Sequence, residues 1–194
     1  TAILGAVNES SIPSSAMTRV ADVVNSETKT LFEQLAGGLT LCNLYHGSAN
    51  PIGGQDCIIK LRDGASPEAL MFDAAPPGLK MALGENVKQS NWGERLTTRF
   101  PQSRMGVRTF IVNRFTAARE YLAQIEDAKR SGKLPPRRDL ELEALGEVLQ
   151  GKRWIHCHAY RQDEILALLR LMEGFGVKVA SLEHVLEGYK IADE

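Results

Sequence analysis

Short apolar runs alternate with helical patterns along this chain, and that alternation constrains its fold more than any other feature. Runs typical of strands occupy residues 39–45, 57–62, 79–83, 154–158 and 177–184. Helices are predicted at residues 31–35, from 105 to about 131, at 140–150 and around 165–172. Nearly continuous apolar strands in strand-helix-strand order favour parallel βα units, so the predicted class is α/β.

The longest predicted helix has the clearest periodicity, with apolar residues at alternating steps of four and three from Val107 to Ile125. Residues 46–55 are predicted as a loop, because they contain three glycines. About five strands are too few for a closed eight-stranded barrel but enough for an open doubly wound sheet. Neither a G-x-G-x-x-G nor a P-loop pattern occurs, so no motif supports nucleotide binding.

The charge balance argues against one class of partner. The 194 residues include 23 Lys and Arg against 24 Asp and Glu, a formal charge of −1, so no basic surface for nucleic acid is expected. No stretch approaches the roughly 18 apolar residues of a membrane span, and we therefore expect a soluble chain. Cys42, Cys57 and Cys157 each lie in an apolar run, which predicts core residues rather than a disulfide framework.

Four histidines lie at or near the carboxyl ends of strand-like runs: His46, His156, His158 and His184. In α/β folds that end of the strands carries the active site. Residues i and i+2 of a strand face the same side, so His156 and His158 are expected to point together. Neutral imidazoles from several strands are ligands suited to Zn²⁺, and hydrogen-bonded core histidines are the alternative.

Lys80 is the second unusual residue, since it interrupts the apolar run at residues 79–83. A buried ammonium is costly unless it is paired, so either Lys80 has a special partner or its side chain snorkels out of a short edge strand. Glu85, just after the run, is a candidate to pair with Lys80 or to bind metal. Arg104 and Arg161 are candidates to hold a substrate carboxylate, with solvated side chains as the alternative.

Four segments carry a family resemblance when taken together. They are residues 44–55 (LYHGSANPIGGQ), residues 76–86 (PPGLKMALGEN), residues 156–161 (HCHAYR), and Glu183-His184 followed by residues 187–190 (EGYK). In this order and at these distances they resemble the imidazolonepropionase-like branch of the metal-dependent amidohydrolase superfamily. The likeness runs from about Val7 to the last residue.

The resemblance implies a TIM-type (β/α)8 barrel with one or two divalent metal ions, typically zinc, at the carboxyl ends of the strands. Carried over by position, His158 is the metal ligand of the fifth strand and His184 that of the sixth. Lys80 takes the fourth-strand position, where the family's lysine is often carboxylated, and Glu85 competes for that role. Lys80, His158 and His184 are therefore the implied catalytic centre.

The implied reaction is hydrolysis of a carbon-nitrogen bond in a small-molecule amide or cyclic amide by a metal-activated water. His46, Tyr160 and Arg161 are the implied candidates for substrate contact. Two alternatives stay open. One is a non-catalytic metal-binding or scaffold protein, and the other is an open α/β-sheet protein with core histidines and no metal.

The resemblance also has gaps. The family's first-strand His-x-His pair, expected just before residues 2–9, has no counterpart, and neither do the seventh and eighth strands with their Asp. We therefore expect residues 1–194 to form a single, incomplete catalytic barrel domain that covers roughly strands two to six and is inactive alone. The localisation of the full-length protein is unknown, with export to a periplasm and a homo-oligomer as options.

Overall fold

Two separate sheets organise the computed structural model, which describes residues 8–88 and 99–194. Its strands are β1 (Leu41–Leu44), β2 (Ile52–Gln55), β3 (Cys57–Lys60), β4 (Gly78–Ala82), β5 (Trp154–Ala159) and β6 (Val179–His184). Its helices are α1 (Lys29–Ala36), α2 (Pro67–Leu70), α3 (Arg104–Ser131), α4 (Leu140–Leu149) and α5 (Gln162–Gly174), with 3₁₀ turns at Val20–Val23, Glu85–Val87 and Gly188–Ile191. Val7, where the family resemblance begins, lies outside the described residues.

The larger sheet has the strand order β2-β4-β5-β6. Its strands β4, β5 and β6 are parallel neighbours, whereas β2 runs antiparallel to β4. Strands β1 and β3 form an antiparallel ribbon of their own. The predicted parallel arrangement is confirmed for β4 to β6 and is wrong for the first three strands. No helix lies between β1, β2 and β3, so these strands lack the helical crossover that usually joins parallel neighbours.

The longest helix, α3, confirms the periodicity read from the sequence. It begins at Arg104, where the Ser103 hydroxyl accepts the backbone N–H of Gly106 at 3.2 Å, and it ends before Gly132, whose φ of 67° is left-handed. Val107 and Phe115 are buried on its apolar face. Within the described part of the chain, no helix is both long and apolar enough to cross a bilayer.

The two faces of the larger sheet differ in chemistry. One face packs into the apolar core with residues of α3, α4 and α5, and its fully buried side chains on β4 and β5 include Leu79, Met81, Ile155 and Cys157. Because side chains alternate along a strand, Lys80, His156 and His158 lie on the opposite face. The helices thus cover one side of the sheet, and the residues with candidate chemistry share the other.

Residues 52–55 form a strand where the sequence predicts a loop. Ile52 pairs with Met81 of β4, so β2 lies beside the strand that carries Lys80. A Cβ atom at Gly53 would lie 3.0 Å from the Lys80 carbonyl oxygen, closer than most real Cβ contacts. The glycine that argues for a loop in the sequence is therefore what lets the two backbones approach.

The three cysteines lie in β1, β3 and β5, and all three thiols are free. Cys157 is fully buried, and Cys42 and Cys57 are half-buried. Burial, reinforced by the charge of Asp56, raises the pKa of the Cys57 thiol to about 11. The prediction that these residues serve packing rather than a disulfide framework agrees with these surroundings.

Candidate active site

Strand register brings the predicted residues to one end of the sheet. Lys80 on β4 is the cross-strand neighbour of His156 on β5. His158 is paired with Glu183 on β6, and the next pair along the two strands is Ala159 with His184. Since the three strands are parallel, their carboxyl ends meet at one edge, where this polar cluster lies.

Lys80 is buried, with 4% of its surface exposed. Its Nζ lies 2.9 Å from Oε2 of Glu183 and donates to the Ser48 hydroxyl at 3.1 Å. Strand β4 has β2 on one side and β5 on the other, so the explanation of a lysine snorkelling from an edge strand is wrong. The ammonium is buried because a carboxylate and a hydroxyl meet it there.

His158 has the least satisfied side chain of the cluster. Only 2% of its surface is exposed, and neither Nδ1 nor Nε2 has a hydrogen-bond partner within residues 8–88 and 99–194. Burial, with the nearby positive charges of His184 and Lys80, lowers the pKa of His158 to about 4. The ring is therefore neutral at pH 7 and retains the lone pair that a metal ligand requires.

His184 ends β6 with a left-handed backbone, since its φ is 69° and that of Val185 is 48°. Such a conformation is uncommon and costs roughly 1–3 kcal/mol for residues other than glycine. The ring centroid of His184 lies 4.5 Å from that of His158 and 5.2 Å from that of Tyr160, while the His158 and Tyr160 centroids are also 4.5 Å apart. The strained turn therefore accompanies a cluster of three mutually contacting rings.

The other predicted residues already have protein partners. The Glu85 carboxylate lies 2.7 Å from Nζ of Lys88, and the Arg161 guanidinium donates to Asp163 at 2.9 and 3.2 Å. Arg104 also pairs with Asp163, at 3.1 Å. These side chains lie at the surface, and they are held by neighbours other than Lys80.

His46 is buried, and both of its ring nitrogens are engaged. Nε2 accepts the backbone N–H of Glu9 at 2.9 Å, and Nδ1 lies 2.8 Å from the Gly47 carbonyl oxygen, to which it donates. Burial is the main cause that lowers the pKa of this imidazole. His46 thus braces the loop that carries Ser48, and its substrate-binding role stays a prediction.

Sequence reasoning missed Glu183 and Ser48 as the two groups that hold Lys80. A signal for Glu183 was present, because a carboxylate directly before His184 interrupts a strand of otherwise small or apolar residues. Its Oε2 binds Lys80, while its Oε1 is buried without a hydrogen-bond partner. Ser48 offered no comparable signal, since a serine between glycine and alanine is ordinary loop composition.

The cluster contains two candidate metal ligands. Within residues 8–88 and 99–194, no group of three or more His, Cys, Asp or Glu side chains is arranged to hold a metal ion. His158 and His184 provide two imidazoles, and the unpartnered ring nitrogens of His158 suit a metal ligand. The donor chemistry fits zinc, with further ligands needed to complete its coordination.

Two known proteins resemble this chain. The crystal structure of an amidohydrolase from Thermotoga maritima MSB8 matches it with a TM-score of 0.87 and 36% identity, over 96% of this chain and 47% of that protein. A curated protein from Hapsidospora irregularis, amidohydrolase tasK, is 30% identical over an alignment of 177 residues, and the match covers 81% of this chain and 18% of that protein. No family model matches the chain.

The chain therefore spans about half the length of the solved relative and under a fifth of the curated one. A TM-score of 0.87 with 36% identity shows that this chain shares the fold of a portion of the solved amidohydrolase. The two relatives support an amidohydrolase family for this mixed α/β chain.

Proposed function

We propose that this chain is part of a metal-dependent amidohydrolase that hydrolyses carbon-nitrogen bonds in small amides, including cyclic amides. The observation that carries the proposal is His158, which is buried and neutral, lies against His184, and has no partner on either ring nitrogen among the residues that the structure describes. A buried polar group without a partner costs roughly 1–3 kcal/mol, which a bound ligand would offset.

The proposed metal ligands are His158 and His184, with Lys80 as a third. When bound, one or two Zn²⁺ ions supply Lewis acidity that polarises the amide carbonyl and acidifies water. An ammonium repels a cation, so Lys80 would serve as a ligand only after its ion pair with Glu183 opens and it loses a proton, as a neutral amine or as the carbamate that the amine forms with CO2 on release of a further proton. Glu85 is a weaker candidate because it is exposed and already paired with Lys88.

Tyr160 and Arg161 are the proposed substrate contacts. The Tyr160 ring packs against both histidines, so its hydroxyl is a candidate to hydrogen-bond an amide beside them. Arg161 follows directly, and Asp163 holds its guanidinium in a fixed orientation at the surface. An anionic group on the substrate is the natural partner for that cation. His46 contributes by shaping the loop at residues 46–51.

The proposed setting is a partial (β/α)8 barrel of the imidazolonepropionase-like branch, covering roughly strands two to six. β6 is the last strand of the larger sheet among the described residues, and its outer edge is where a further parallel strand would pair. The remaining ligands and strands would then come from other parts of a full-length protein. Export and a homo-oligomer are proposed on the resemblance alone.

The experiment uses the full-length protein, stripped with a chelator and reloaded with zinc, against a panel of linear and cyclic amides. We expect activity to disappear with the metal and return with it, and we expect His158→Asn and His184→Asn to lower kcat at least about 100-fold. Cys157→Ala, a buried change beside His158 on the opposite face, is the matched control. Tight zinc binding without turnover of any amide would instead favour the non-catalytic metal-binding alternative.

A further inference from the structure

Five polar side chains contact one another beside Lys80, on the face of the sheet that carries the histidines. They are Asn43, Tyr45, Asp56, His156 and Ser181, called here the polar layer. Interior positions of parallel βα barrels are filled mainly by Val, Ile and Leu, which need no hydrogen-bond partners. A polar cluster at this place is costly unless its members are satisfied, so its bonding pattern is informative.

Asp56 anchors the polar layer at one end. Its side chain is only 1% exposed, and Oδ1 accepts the backbone N–H of Gly78 at 2.6 Å while Oδ2 accepts the Asn43 amide at 2.9 Å. His156 continues the layer, with Nε2 3.6 Å from Oδ2 of Asp56 and Nδ1 2.6 Å from the Ser181 hydroxyl. These bonds link the β1–β3 ribbon to β4, β5 and β6.

One assignment of protons satisfies the bond between His156 and Ser181, while the Asn43 amide oxygen has no hydrogen-bond partner among the described residues. His156 carries its proton on Nε2, facing Asp56, and its Nδ1 accepts the Ser181 hydroxyl proton. The Ser181 oxygen can then accept from the Tyr45 hydroxyl, which lies near Ser181 and Asn43. In this assignment protons are donated from Tyr45 through Ser181 to His156, whose Nε2 faces Asp56 at 3.6 Å, beyond hydrogen-bond distance.

Tyr45 is where the polar layer meets Lys80. Its ring centroid lies 5.6 Å from Nζ of Lys80 and 5.2 Å from the centroid of the His156 ring. The ammonium therefore has an aromatic ring on one side, with the Glu183 carboxylate and the Ser48 hydroxyl as its polar partners. A lysine side chain has many rotamers, and this enclosure selects one.

We propose that Tyr45 is a positioning residue for Lys80, and that the polar layer holds the Tyr45 ring in the orientation that fixes the ammonium. The inference rests on the proposed function, since the enclosure that fixes the ammonium also keeps Nζ at the place where Lys80, once deprotonated, would bind metal. Groups that orient a metal ligand typically change metal affinity 10- to 100-fold when removed. The polar layer would be such a support, built from residues that touch neither metal nor substrate.

The test uses the full-length protein with lysines labelled with ¹³C at Cε, and it has two readouts. In the metal-free protein, the Lys80 resonance, assigned with Lys80→Arg, reports whether the side chain is still enclosed. Zinc affinity, from chelator competition, reports whether the centre is still arranged to bind metal. The first variant, Tyr45→Leu, removes the aromatic ring. The second and milder variant, Ser181→Ala, removes only the hydroxyl proposed to orient the Tyr45 ring. Ser181→Thr restores a hydroxyl, and Cys157→Ala is the matched buried control.

We expect Tyr45→Leu and Ser181→Ala to move the Lys80 resonance towards that of exposed lysines and to raise the zinc Kd about tenfold or more. Ser181→Thr should retain the wild-type resonance, and Cys157→Ala should lower only the melting temperature. An unchanged Lys80 resonance in both Tyr45→Leu and Ser181→Ala would overturn the proposal. If the wild-type protein binds no zinc, the proposed function fails, and the lysine resonance alone decides the role of Tyr45.

Discussion

Lys80 and Glu183 form an ion pair although their strands are separated by a third strand. Lys80 lies on β4 and Glu183 on β6, yet Nζ and Oε2 are 2.9 Å apart over the intervening strand β5. The lysine side chain is 5% exposed and the glutamate side chain 23%. The pair therefore ties the ends of three parallel strands together at the edge where the histidines lie.

Breaking this pair from one side should destabilise the protein. Glu183→Gln leaves the Lys80 ammonium buried beside a neutral amide, and we expect a loss of about 2–3 kcal/mol in the free energy of unfolding. That is less than the roughly 3–5 kcal/mol of a fully buried pair, because Glu183 keeps some contact with water. Urea unfolding of the metal-free protein measures it.

The double variant Lys80→Met/Glu183→Leu provides the control for this pair. It removes both charges, so it should lose less stability than Glu183→Gln alone. A double variant whose loss equals the sum of the losses in Lys80→Met alone and Glu183→Leu alone would show that the two side chains act independently.

Gly78→Ala should damage the start of β4. A Cβ atom there would overlap the Asp56 carboxylate and lie 2.6 Å from Cδ2 of His156, so one of these packed groups must move. We expect a loss of roughly 1–3 kcal/mol, measured by thermal unfolding. A Cβ atom at Gly174, in α5, would have no described atom within 4 Å beyond its own helix backbone and chain neighbours. Gly174→Ala should therefore be neutral or slightly stabilising. Equal effects at both glycines would contradict the close packing described for Asp56.

The neutral state of His158 predicts a pH dependence. Its folded pKa of about 4 lies below the unfolded value of roughly 6.5, so the unfolded state binds more protons between these values. Stability should therefore fall as the pH drops from about 6.5 towards 4, by at most about 3 kcal/mol. In the metal-free protein, His158→Gln should reduce the change in the free energy of unfolding between about pH 6.5 and pH 4. If the free energy of unfolding changed with pH equally in the wild type and the variant, the pKa of His158 would not be lowered by folding.

Arg99 should hold the loop beside Lys80 in place. Its guanidinium donates to the carbonyl oxygens of Ala49 at 2.7 Å and Ile12 at 3.2 Å, and to the Asn50 amide oxygen at 3.3 Å. A lysine ammonium lacks the planar fork that serves these acceptors together. Arg99→Lys should therefore speed amide hydrogen exchange in residues 46–51. Arg130→Lys, a change at an exposed arginine of α3, should leave it unchanged.

The sequence predicts local secondary structure better than the pairing of strands. The apolar period from Val107 to Ile125 is a property of neighbouring residues, and α3 follows it. Ile52 to Gln55 become a strand only because β4 lies alongside, and the glycines that permit this approach read as a loop. The antiparallel pairing of the first strands is likewise set by contacts distant in sequence.

In the candidate site, too, the sequence predicts single unusual residues better than the contacts between them. His158 and Lys80 stand out because a histidine at a strand end and a lysine within an apolar run are unusual residues at those positions. The partnership of Lys80 with Glu183 depends on the register of β4, β5 and β6, which no local pattern reveals. The contrast between the engaged nitrogens of His46 and the unpartnered nitrogens of His158 also needs the fold.

The metal content of the purified full-length protein tests the central claim most directly. Elemental analysis should find one or two equivalents of a divalent metal, zinc by preference, in the wild-type protein. His158→Ala should lose most of it, while Cys157→Ala should retain it and Lys80→Ala should retain one equivalent at most. A wild-type protein that carries no metal even after incubation with zinc, or a His158→Ala variant with undiminished metal content, would contradict the account.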